Sequence, residues 1–356
     1  MDMIDVLKAA VQKGGSDLHF VIGQPPILRL DGQLRPMTEF PALTAEESKR
    51  MIYGLLSDPQ RARFETEWDL DFSVTVDNVA RFRANILLQK NGVEAVLRII
   101  STNIATPEEL ELPPAITQLA DLPRGLVLIT GPTGSGKSTT LACLINLINQ
   151  KRREHILTIE DPIEFVYENK NCVIRQREIG QQTQSFAAAL KHALRQDPDV
   201  VLIGEMRDLE TIGAAITVAE TGHLVFGTLH TTDAAQTVDR MIDVFPAHQQ
   251  QQVRTQLSNS LKAVVSQVLL PRMGGKGRVA AREIMMVTPA ISNLIREAKT
   301  HMIYGAIDTG ARVGMVSLDK SLAELMKKGL ITMEQALSKA NRPEVIRGAP
   351  ASQVHA

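Results

Sequence analysis

Apolar and polar positions recur with different periods along the chain, and the changes of period divide it. Over residues 1 to about 103, helical spacing at 4–11 and 45–56 flanks runs that alternate every second residue, an α+β pattern. The clearest alternating runs, 79–89 and 93–100, meet across Asn91-Gly92, a strong hairpin signal. With Asn91 and Gly92 as the loop, Lys90 pairs with Val93 and Asn85 with Arg98. Phe82, Ala84, Ile86, Leu88, Val93, Ala95, Leu97 and Ile99 then share one face. Arg81, Arg83, Asn85, Gln89, Glu94 and Arg98 share the other. Three arginines on a polar face are either a solvated surface or a patch that meets phosphate. Residues 104–118, with Pro107, Pro113 and Pro114, read as a linker. From 119 to 288, short apolar runs (125–130, 155–159, 199–203, 223–228) alternate with helical segments, which predicts a mostly parallel sheet covered by helices. Residues 289–345 read as helical. Thr288 caps a helix with Pro289 at its first position, Ile291, Leu294, Ile295, Ala298 and Met302 line one face, and Leu318, Leu322 and Leu325 line the next helix. The segment 346–356 is expected to be disordered.

The most specific chemistry lies between the run 125–130 and the helical run that follows it. Gly131, Pro132, Thr133, Gly134, Ser135, Gly136, Lys137 and Ser138 match the phosphate-binding loop pattern at every fixed position, with Thr139 next. Backbone N–H groups of such a loop and the following helix N-terminus make a concave positive site for phosphate. Lys137 can reach the β- and γ-phosphates of a nucleoside triphosphate, and Ser138 can ligate Mg²⁺.

Hydrolysis also needs a metal site, a group that orients water, and positive charge for the transition state. Candidates cluster after the predicted strands. Glu160, Asp161 and Glu164 follow the run 155–159: Glu164 is a candidate water-orienting base, with Glu160 and Asp161 shaping the metal site. Glu205 follows the run 199–203 and can hold Mg²⁺ through water, with Gly204 where an Asp often stands. His223 and His230 bracket the run 223–228, and His230, placed like Glu205, is the better γ-phosphate sensor. Arg240 can act within the same chain. Arg81, Arg83 and Arg98 can act on a neighbour's nucleotide if subunits form a ring.

Bulk properties narrow the classes. The 356 residues suffice for two or three domains, and 44% hydrophobic with 22% charged residues is an ordinary globular composition. A net charge of −1 gives no global drive toward nucleic acid, and none is expected as a partner. No apolar run approaches the ~18 residues of a membrane span, and the N-terminus lacks a secretory signal. Cys143 and Cys172 form no C-x-x-C pair, so neither a zinc site nor a disulfide framework is expected, in keeping with a reducing cytoplasm.

The set as a whole, Ser16-Asp-Leu-His19, GPTGSGKSTT, TIEDPIE, LRQDPDVVLIGEMRD and TGHLVFGTLHT, resembles the type IV pilus retraction ATPases, the twitching-motility family of the type II/type IV secretion ATPase superfamily. The resemblance runs from about residue 14 to about residue 340. It implies a PAS-like N-terminal α+β domain joined to a RecA-like α/β ATPase domain with a helical C-terminal region. It further implies a cytoplasmic homohexamer at the inner membrane that binds ATP and Mg²⁺ at subunit interfaces. Its implied partners are a membrane-embedded pilus platform protein, turned by domain rotation so that the pilus disassembles, and a paralogous pilus ATPase. Extension and secretion relatives usually carry a tetracysteine element after the histidine box; here 266–275 has no cysteine. The retraction signature A-I-R-N-L-I-R-E is matched at 290–297 with Ser292 in place of arginine. The competing readings are an extension or secretion ATPase, a RecA-like DNA translocase, and a non-catalytic scaffold.

Overall fold

A computed structural model describes residues 1–348 other than 31, 101, 102 and 276. The chain forms two compact units. The first is Met1–Asn103 together with Glu164–Val166, and the second runs from Ile104 to Ile163 and from Tyr167 onward.

In the first unit β1 (Asp17–Phe20), β2 (Ile27–Leu30), β3 (Gln33–Pro36), β4 (Asp69–Val76), β5 (Ala80–Gln89) and β6 (Gly92–Ile100) form a sheet of order β3-β2-β1-β6-β5-β4. Every pairing is antiparallel. Period-2 alternation gives the sheet an apolar face of Leu18, Phe20, Phe82, Ala84, Ile86, Ala95 and Leu97. The helices Met3–Gln12 and Ala45–Tyr53 bury Val6, Leu7, Ala10, Met51 and Ile52 in the same core. Helix Ala45–Tyr53 starts where Thr44 and Glu47 form a reciprocal capping box, which satisfies two backbone donors. Helix Asp58–Glu67 ends on Trp68, held at φ 63 and 64% exposed.

The hairpin differs from expectation in its register. Gln89 pairs with Gly92 and Arg83 with Arg98, so the loop is Lys90-Asn91 and the pairing moves by two residues. Gly92, at φ 136, opens β6 rather than closing the turn, and Asn91 donates its N–H to Gln89 Oε1 at 3.1 Å. A shift of two preserves the faces. Phe82, Ala84, Ile86, Val93, Ala95 and Leu97 are buried as expected, while Leu88, near the turn, is 48% exposed.

The second unit contains β7 (Gly125–Thr130), β8 (His155–Glu160), β9 (Val173–Glu178), β10 (Val200–Ile203), β11 (Leu224–Leu229), β12 (Leu261–Pro271) and β13 (Arg278–Met286). Their order is β13-β12-β7-β11-β10-β8-β9. All neighbours are parallel except β12 and β13. β7, β10 and β11 are buried at every position, as strands covered on both faces require. Leu141, Leu144, Ile145 and Ile148 of helix Lys137–Lys151 pack on one face. Helices Leu209–Glu220, Ala234–Asp243 and Ala247–Ser260 pack on the other.

Two expected boundaries move. Part of the presumed linker 104–118 is folded, because helix Pro114–Thr117 buries Ile116 against β7 and helix Lys137–Lys151. The expected disordered tail from 346 begins inside helix Pro343–Arg347, whose Ile346 is fully buried beside Leu322 and Ala336. The remainder of that tail, 349–356, lies outside the described residues. Among the described residues no helix is long and apolar enough to cross a membrane.

The register sets Arg98 opposite Asp17 of β1, and its Nε donates to Asp17 Oδ1 at 2.8 Å. Burial pushes the Asp17 carboxyl up, but hydrogen bonds from Arg98 and Ser16 and the charges of Arg98 and Arg29 outweigh it and hold the group below the ordinary aspartate range. Such a group stabilises the fold above the unfolded pKa and loses that contribution as pH falls through the folded one. Arg98→Ala is therefore expected to cost about 1 kcal/mol at pH 7, since the arginine is largely exposed. In urea denaturation at pH 7 and pH 3, the difference from the parent protein should fade at the lower pH.

Candidate phosphate-binding and catalytic site

The parallel strands of the second unit all end on one edge. Gly131, Asp161, Gly204 and His230 directly follow β7, β8, β10 and β11 there. Open α/β sheets bind ligands at this carboxyl edge.

The glycine loop is shaped by close contacts. Gly131, Gly134 and Gly136 have φ of 137°, 78° and 88°, values that L side chains rarely adopt. A Cβ on Gly131 would lie 2.2 Å from the carbonyl oxygen of Gln267 on β12. Lys137 Nζ donates to the carbonyls of Gly131 at 2.8 Å and Pro132 at 3.2 Å, which keeps the ammonium over the loop. Ser135 Oγ is buried and makes no hydrogen bond within the chain. Ser138 and Thr139 sit half-buried in the first turn of helix Lys137–Lys151. Gly134, Pro132 and Thr133 are exposed at the loop's tip.

Glu205 is the centre of the polar cluster beside this loop. His230 Nε2 lies 2.8 Å and Arg207 Nε 2.5 Å from Glu205 Oε1. Burial pushes the Glu205 carboxyl up, but the Arg207 hydrogen bond and the charges around it, Lys137 included, prevail and hold it below the ordinary glutamate range. The carboxylate is thus ionised and ready to bind a cation or orient water. Its place is fixed by the neighbouring backbone: Met206 N donates to Thr228 O at 3.0 Å, and Thr228 Oγ1 donates to Gly204 O at 2.5 Å. A Cβ on Gly204 would stand 3.1 Å from the α-carbon of Glu160, a tight contact that favours glycine there, and the acid stands one residue on, at 205.

Other candidates have other surroundings. Glu160 ends β8 and is buried, with Oε1 accepting from Thr158 Oγ1 at 2.6 Å and Gln176 Nε2 at 3.2 Å. Glu164 is exposed and is counted with the first unit. His223 sits at the start of β11, the opposite end from His230, where Nδ1 lies 3.0 Å from Val218 O and closes off helix Leu209–Glu220. Arg240 is exposed in the last turn of helix Ala234–Asp243. On the first unit's sheet Arg81 donates to Ser73 Oγ at 2.7 Å and Thr75 Oγ1 at 3.2 Å, and Arg83 is exposed opposite Arg98. Ser292 Oγ donates to Ser258 O at 2.6 Å, fastening helix Pro289–Arg296 to helix Ala247–Ser260.

Arg207 is a functional candidate that sequence reasoning passed over, although Glu-x-Arg after a buried strand is a readable signal for an ion pair at a strand end. Among the described residues no group of three or more His, Cys, Asp or Glu side chains is arranged to hold a metal.

Residues 2–338 match the family model of the type II/IV secretion system proteins. The chain belongs to that family. Within it, the chain groups with the type IV pilus retraction ATPases. It is 52% identical over 344 residues to the retraction ATPase PilT of Pseudomonas aeruginosa, covering 97% of this chain and 99% of the relative. It is 41% identical to the type IV pilus ATPase PilU of the same organism, over 98% of this chain and 91% of the relative. The crystal structure of the pilus retraction motor PilT with bound ADP superposes with a TM-score of 0.90 at 45% identity, covering 97% of this chain and 98% of that one. The α/β fold of this secretion-family chain is therefore that of the retraction motor.

The contact at Gly131 generates a stability prediction. Gly131→Ala forces a Cβ against a backbone carbonyl at an unfavourable φ and is expected to cost about 2–4 kcal/mol. Thermal denaturation of the variant beside Gly134→Ala, at φ 78 and with nothing within 4 Å of its Cβ, compares the crowded position with an open one, and the Gly131 variant should melt lower.

Proposed function

We propose that this retraction-family ATPase is a cytoplasmic, homohexameric, Mg²⁺-dependent motor that couples ATP hydrolysis to domain rotation and so drives type IV pilus retraction. The observation that carries the reading is the convergence of Lys137, Glu205, Arg207 and His230 at the edge of the sheet that ends in the glycine loop.

In this reading the N–H groups of residues 131–139 cradle the phosphates, and Lys137 exchanges the carbonyls of Gly131 and Pro132 for phosphate oxygens. Ser138, with Glu205 through water and Glu160 behind it, would hold Mg²⁺, which supplies charge neutralisation at the β- and γ-phosphates. The ionised Glu205 orients water, with Glu164 as the second carboxylate available for that task. His230, on the same carboxylate oxygen, senses the γ-phosphate. Arg81 and Arg83 stabilise the transition state on a neighbour's nucleotide. Arg98 supports them by holding Asp17, and Arg240 serves within its own chain. An inner-membrane platform protein receives the rotation, and a paralogous pilus ATPase works beside this one.

Steady-state Mg-ATPase activity per subunit, followed against protein concentration with light scattering, is expected to rise as hexamers assemble. Glu205→Ala should lower kcat by about 100-fold or more with nucleotide binding largely intact, whereas Lys137→Ala weakens both. Arg83→Ala should lower kcat on the order of 10³-fold, and mixing it with Glu205→Ala should restore activity at hybrid interfaces. Near-parental turnover in Glu205→Ala overturns the site assignment. Full activity in dilute monomers overturns the role of the arginines.

A further inference from the structure

β12 is the one parallel neighbour of β7 on the side away from Glu205, and it reaches the end of β7 at the pair Ser266–Thr130. The residue after that pair, Gln267, is 3% exposed and turns its amide onto the glycine loop. Its Nε2 donates to the carbonyl of Ser135 at 2.8 Å, and its Oε1 accepts from Thr140 Oγ1 at 3.1 Å. One side chain thus ties the loop to the first turns of helix Lys137–Lys151, on either side of Lys137 and Ser138. Ser135 and Thr140 are each 2% exposed, so water does not substitute for the amide.

Across the antiparallel pair, Gln267 stands opposite Arg282 of β13. Directly opposed residues project on the same face of a sheet. Arg282 is 8% exposed, and its guanidinium donates to the carbonyls of Leu110 at 2.9 Å and Glu111 at 3.2 Å. Glu111 adopts φ 49, and its carboxylate accepts from Arg272 Nη2 at 2.6 Å. Two facing residues of one hairpin therefore grip the phosphate loop and the segment by which the chain enters the second unit.

We propose that Gln267 is a positioning residue that sets the phosphate loop for the nucleotide, and that Arg282 couples that setting to the segment at 110–111. The proposal rests on the nucleotide-binding reading given above and deepens it. Fixing the Ser135 carbonyl orients the N–H groups that flank it, and a loop freed of that bond must be ordered again by each incoming nucleotide. The effect belongs to binding, not to the chemical step, so KM moves and kcat is retained.

The test uses the full-length protein, titrated with a fluorescent ADP analogue and assayed for ATP turnover. Gln267→Met keeps length and volume but removes both hydrogen bonds. It is expected to raise the ADP Kd and the ATP KM by about tenfold while kcat stays within about threefold. Gln267→Glu still accepts from Thr140 but cannot donate to Ser135, and it should not restore affinity. Arg282→Lys, which touches no part of the loop, should weaken ADP binding severalfold, and the Gln267→Met/Arg282→Lys double variant should lose less than the product of the two single effects. A lowered melting temperature with parental Kd and KM in Gln267→Met or Gln267→Glu would reduce Gln267 to a core residue and overturn the proposal. Independent, multiplicative losses in the double variant would overturn the coupling. Failure of the parent protein to bind ADP at all would instead overturn the nucleotide-site reading.

Discussion

The carboxyl edge of the second sheet is closely packed, most of all at the glycine loop, and three glycines record it. A Cβ on Gly131 would meet the Gln267 carbonyl, one on Gly204 would meet the Glu160 backbone, and one on Gly227 would stand 2.8 Å from Met206 Cε. The strands approach this closely because their residues are buried on both faces and the helices press from either side. The arrangement of charge sits beside this packing. The acid after β10 stands at 205, next to the closely packed Gly204, where its side chain meets Arg207 and His230.

The same crowding sets which residues hold the loop. A glycine loop with three positive φ values has little conformational preference of its own, so its shape is imposed by partners. Lys137 supplies one tie from within, and Gln267 supplies another from a strand more than a hundred residues later in the chain. A phosphate site that reads as a local motif is, in its geometry, a long-range structure.

Legibility from the sequence divides along these lines. The strand, loop and helix around Lys137 were readable because motif and apolar runs agree locally. Glu205 and His230 were readable because each follows a buried run. β12 and β13 carry no legible strand signal, since β12 follows helix Ala247–Ser260 with no turn residue between them and carries polar Ser266 and Gln267 at its centre. Their polarity is explained only by the neighbours they meet, Thr130 and the loop. The hairpin faces were legible and its register was not, because a two-residue slip leaves alternation unchanged and only Gly92's place beside Gln89 decides between them. Arg98 looked like a free cation in a polar stripe, and only pairing with β1 reveals Asp17 as its partner.

Trp68 is the chain's one tryptophan, and it stands on the surface of the first unit at the end of helix Asp58–Glu67. Its backbone is fixed by its own carbonyl, which accepts from Leu88 N at 2.9 Å, so its environment is tied to the strand that carries Arg81 and Arg83. The protein thus carries a built-in optical label. Indole emission reports on the arginine-bearing unit, and because the unit with the phosphate loop holds no tryptophan, the first unit can be followed by itself without adding a dye.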